Sequence, residues 1–133
     1  MTKFEVLLCT YYYLEKEYFS DKNKSNEYIY YVSSVNPDIW KQDEGTADPA
    51  YYVEYLEICD SFFNDSVCSL QEGFDYAKKY LKKYNEYEHI QYSSNIDEVV
   101  TVFSKCTLSD WEEIYDWVKN KRHKELPYWI TED

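Results

Sequence analysis

Tyrosine sets the terms on which this chain can fold, because it occurs 17 times in 133 residues and leads an aromatic fraction of 20%. A phenol offers a large apolar ring whose hydroxyl still needs water or a hydrogen-bond partner, which suits half-buried surfaces and interfaces. The residue also favours extended backbone. Tyr11-Tyr12-Tyr13 and the tyrosines between positions 28 and 31 therefore point to strands. With only two Gly and three Pro, the chain is not low-complexity. It also has little material for close backbone approach to a ligand.

Residues 4–14 are apolar on both faces at Val6, Leu7, Leu8 and Cys9, which predicts a central strand. Residues 27–35 are expected to pair with it as a long hairpin across the polar turn at 20–26. Asn36-Pro37-Asp38 ends that second strand, and an acidic loop runs on to Ala47. Asp48-Pro49 then supplies an N-cap carboxylate and a first-turn proline. Helical spacing puts Tyr52, Tyr55, Leu56, Cys59, Phe62 and Phe63 on one face, with Glu54, Glu57, Asp60 and Ser61 opposite. A strand is the alternative for 49–63.

Ser69 and Glu72 form a capping box for a second helix that turns Leu70, Phe74, Ala77, Leu81 and Tyr84 inward. Lys78, Lys79, Lys82 and Lys83 are expected in its last turns. Residues 90–92 and 99–103 are predicted as short strands around Ser93-Ser94-Asn95. Ser109 and Glu112 are expected to cap a third helix carrying Trp111, Ile114, Tyr115 and Val118. The apolar tail at 126–130 is expected to dock on the domain. The order β-β-α-α-β-β-α predicts one α+β domain over residues 1–133, a mainly antiparallel sheet with about three helices packed on it.

Charge narrows the function. Fourteen Lys plus Arg face 26 Asp plus Glu, a net charge of −12. Such a field repels nucleic acid and anionic membranes and attracts basic proteins. Arg122 is the sole arginine, so phosphate or carboxylate clamping is poorly provided for. The amino-terminal residues lack a signal-peptide pattern, and no run reaches membrane-spanning length. A cytoplasmic setting follows, with Cys9, Cys59, Cys68 and Cys106 as free thiols.

Catalytic ingredients are scarce. Two histidines, His89 and His123, offer no nucleophile–base arrangement, and carboxylate catalysis would need a cleft that a domain this small seldom builds. No Cys-x-x-Cys pair suggests zinc, and the loop at 38–48 lacks the spacing of a calcium loop. The expectation is a protein without enzymatic activity, metal or cofactor. Small-molecule sequestration is a weaker alternative.

One feature stands above background. Between positions 41 and 75 there is one lysine, Lys41, against Asp43, Glu44, Asp48, Glu54, Glu57, Asp60, Asp65, Glu72 and Asp75. On a helix, Glu54, Glu57 and Asp60 make a stripe with neighbours roughly 5–6 Å apart, close to the phosphate spacing of a nucleic-acid strand. Asp110 and Glu113 belong to a second acidic patch. The candidate partner-binding residues are thus Asp43, Glu44, Asp48, Tyr51, Glu54, Glu57, Asp60, Asp110 and Glu113. They fit an inhibitor that occupies the basic site of a nucleic-acid-handling protein, as a DNA-mimicking, anti-restriction or anti-CRISPR protein of a phage does. An immunity protein or antitoxin that neutralises a nuclease toxin would use the same physics.

Overall fold

A computed structural model describes residues 1–37, 44–92 and 94–120. These form six helices: α1 (Lys3–Ser20), α2 (Asn26–Ser34), α3 (Pro49–Cys59), α4 (Leu70–Tyr92), α5 (Asp97–Phe103) and α6 (Leu108–Lys119). No strand occurs among the described residues. The expected α+β domain, an antiparallel sheet with about three helices packed on it, is therefore overturned, and the described fold is all-α.

The correction has a physical cause in each case. Helix α1 is central, packed on α6, α4, α5 and α2, so every residue from 6 to 14 is buried. A helix buried on all sides has no polar face, and its sequence then resembles a two-sided strand. Local signals for the helix are nevertheless present. The Thr2 hydroxyl accepts from the Glu5 amide at 3.1 Å, and the Glu5 carboxylate accepts from the Thr2 amide at 2.8 Å, a complete capping box. Residues 27–35 fall in α2, where Tyr28, Tyr31 and Val35 are buried at spacings of three and four. The predicted strands at 90–92 and 99–103 are the last turn of α4 and the body of α5. Tertiary burial has overridden the extended-chain preference of Tyr and Val.

Three predicted helices stand. Asp48 caps α3 by accepting from the Ala50 amide at 3.1 Å, with Pro49 in the first turn. Ser69 and Glu72 exchange hydrogen bonds of 3.1 and 2.9 Å at the start of α4. Because α4 runs on to Tyr92, its four lysines lie mid-helix instead of in the last turns. Lys78 settles 3.8 Å from the centre of the Phe74 ring. Helix α6 is capped by Thr107 and Asp110, not by Ser109 and Glu112. The tail at 126–130 lies outside the described residues.

The core has two characters. Around α1, α5 and α6 it is apolar: Tyr12 meets Trp117 edge-on at 4.8 Å, and Trp111 packs between Phe74 at 5.5 Å and Phe103 at 6.1 Å. Between α2, α3 and α4 it is built of tyrosines. Tyr55 meets Tyr80 at 4.8 Å, Tyr31 meets Tyr84 at 5.6 Å, and Tyr51 meets Tyr84 at 5.8 Å. The buried Tyr31 and Tyr80 hydroxyls share a hydrogen bond of 2.7 Å, and the Tyr55 hydroxyl donates to the Lys3 carbonyl at 2.5 Å.

Candidate functional site

Helix α3 shows the solvent one acidic edge. Tyr55 and Cys59 point inward and are buried, Glu57 and Asp60 are exposed, and Glu54 is half-buried. The helix is held in place from both ends. The Ala47 and Asp48 amides donate to the Asn36 and Ser34 carbonyls at 2.8 and 2.9 Å, which ties its start to the end of α2. Near its end, Asp60 forms an ion pair of 3.4 Å with Lys3.

The proposed acids separate into groups. Asp48, Glu54 and Glu57 come together, and Glu88 of α4 joins them. Burial, first of all, and then the negative charge of Glu88, Asp48 and Glu57 raise the Glu54 carboxyl above the usual carboxylate range. No salt bridge among the described residues neutralises Glu54, Glu57 or Glu88. Asp60 differs in being paired, and Glu44 accepts from the Tyr52 hydroxyl at 3.0 Å. Asp110 caps α6 beside Cys106 and Tyr13, and its charge helps to raise both of those groups, after burial, above their ordinary values. Glu113 borders a hollow of about 530 Å³ on the same helix, with Glu112, Asp116 and Lys119. Asp43 lies outside the described residues.

Tyr51 has a larger role than that of a flanking aromatic. It is half-buried, packs on Tyr31 and Tyr84, and is hydrogen-bonded to Tyr84 and Ser34. It also forms one wall of a cleft of about 330 Å³ between α2, α3 and the α4–α5 turn. Glu27, Tyr30 and Glu88 line the same cleft. Sequence reasoning missed these three because it placed α2 in a sheet and ended α4 too early. The signal for Glu88 was its position four residues after Tyr84, whose hydroxyl donates to it at 2.7 Å.

The α4–α5 turn is tightly organised. Asn85 accepts from the Ile96 amide at 2.7 Å and donates to Asp97 at 2.7 Å, and the Ser94 hydroxyl donates to Glu88 at 2.5 Å. His89 lies 3.4 Å from Asp97, so it acts as part of this turn. Among the described residues, no group of three or more His, Cys, Asp or Glu side chains is arranged to hold a metal ion. No helix there is long and apolar enough to cross a membrane. Compared with protein-family models, curated proteins and solved structures, the chain shows no match.

Proposed function

We propose that this protein binds a basic protein partner through the acidic face formed by α3 and the second half of α4, and acts as an inhibitor of that partner. One observation carries the reading: Asp48, Glu54, Glu57 and Glu88 are gathered closely enough that Glu54 feels the other three, with no cation among the described residues paired to Glu54, Glu57 or Glu88. Like charges held together cost stability in the free protein. A cationic surface would relieve that repulsion and would be steered toward it during encounter. Exposed apolar groups next to the acids, Val53 and Tyr92, would supply contact area once the partner has docked.

A nucleic-acid-handling enzyme presents the kind of basic groove that fits this face. An anti-defence role and an immunity role both remain within this proposal, and the partner's identity separates them. The test is capture from the natural host at low and high salt, with wild type and the Glu54→Gln, Glu57→Gln, Glu88→Gln triple variant as baits. The expected outcome is a protein retained by wild type at low salt, released by high salt, and lost from the triple variant. With the captured partner in hand, the triple variant should associate about tenfold more slowly and with a flatter salt dependence. Equal capture by both baits at both salt concentrations would sink the reading.

A further inference from the structure

We infer that the cleft between α2, α3 and the α4–α5 turn is a receptor for a single arginine side chain of the partner. The inference rests on the acidic-docking reading above and adds to it a specific anchor point.

The cleft has the shape and chemistry for that group. Its volume, about 330 Å³, is at the lower end of small-ligand sites and suits one long side chain. Tyr30, Tyr51, Glu27, Glu88 and Asn95 line it, and among the described residues no Lys, Arg or His does. A phosphate-bearing ligand would meet two carboxylates there. A guanidinium would instead find aromatic faces to stack on and carboxylate oxygens for its forked donors.

Glu88 is held ready for this task. One of its oxygens accepts from Tyr84 and the other from Ser94, which fixes the carboxylate while leaving further lone pairs free to accept. Tyr30 lines the same cleft, a large aromatic side chain with 64% of its surface exposed. A guanidinium docked there would cover the exposed ring and shield its own pairing with the carboxylate from water. A lysine would supply the charge, but it has neither the planar face nor the paired donors.

The experiment is an NMR titration of the full chain with three capped peptides, acetyl-Gly-X-Gly-amide, in which X is arginine, lysine or citrulline. Citrulline keeps the planar shape and removes the charge. The arginine peptide should shift the Tyr30 and Asn95 amides saturably, the lysine peptide should bind more weakly, and the citrulline peptide should not bind. Glu27→Gln and Tyr30→Ala alter exposed side chains and should each weaken arginine binding about tenfold. Glu54→Gln with Glu57→Gln should leave it within about twofold, since these acids act on encounter instead of in the cleft. Equal shifts from arginine and lysine spread over all acidic surfaces would overturn the pocket, as would arginine binding indifferent to Glu27→Gln and Tyr30→Ala. Either result leaves the host-capture test standing, so the two ideas fail separately.

Discussion

The two halves of the core use aromatic residues in opposite ways. Where α1, α5 and α6 meet, Tyr12, Trp117, Phe103 and Trp111 pack edge to face, and among the described residues the buried Trp111 indole nitrogen has no hydrogen-bond partner. Where α2, α3 and α4 meet, hydroxyls bond to one another and to backbone, and a separate group of Tyr51, Tyr84 and Glu88 reaches the cleft. The tyrosine half can bury the hydroxyls of Tyr31, Tyr55 and Tyr80 because each has a partner. A Tyr-rich sequence thus need not be a sheet. It can be a helical bundle in which hydroxyls do the specifying.

The strongest test of this contrast is Trp111→Ala, which removes the largest fully buried side chain among the described residues. It should cost about 3–5 kcal/mol, read from the urea midpoint. A loss below about 1 kcal/mol would show that the apolar half is loosely packed. Tyr80→Phe should cost about 1–3 kcal/mol because it strands the Tyr31 hydroxyl in the interior. The double variant Tyr31→Phe, Tyr80→Phe should recover part of that loss, and a purely additive cycle would mean that the hydroxyls are not coupled.

The smallest effect concerns the acidic face. The raised Glu54 carboxyl binds its proton more tightly in the folded state than in the unfolded chain. Its contribution to stability is therefore complete below the unfolded carboxyl value, about pH 4, and is lost as pH rises through the higher folded value. Above both values the charge opposes folding, so Glu54→Gln should stabilise the protein at pH 7, by no more than about 0.5 kcal/mol given its partial exposure. The gain should vanish near pH 3. A destabilised variant at pH 7 would show that Glu54 has a favourable partner after all.

Part of this architecture was legible in the sequence. Asp48-Pro49, the Ser69–Glu72 box and the apolar spacing of Trp111, Ile114 and Val118 announced three helices through short-range chemistry. Helix α1 was not recognised because residues 6–14 are buried all round, which erases there the periodicity that marks a helix. Its Thr2–Glu5 box was present, and the spacing of Tyr28 and Tyr31 was visible, but both were outweighed by propensity. On the acidic face, Glu54 and Glu57 followed from the position of α3 alone. Glu88 and Glu27 could not, because bringing them beside Tyr51 takes the packing of three helices that are remote in sequence.

The four thiols turn this contrast into something that can be timed. Burial raises Cys9 and Cys106 in the apolar half and Cys59 in the tyrosine half, whereas Cys68 is only partly covered. A modifying reagent reaches the three buried thiols only when the surrounding structure opens, so its rates count opening events at known places. The molecule therefore carries native clocks in both halves. If Cys59 reacts before Cys9, the tyrosine half breathes on its own, and the cleft beside it is the part of the protein with freedom to adjust to a guest.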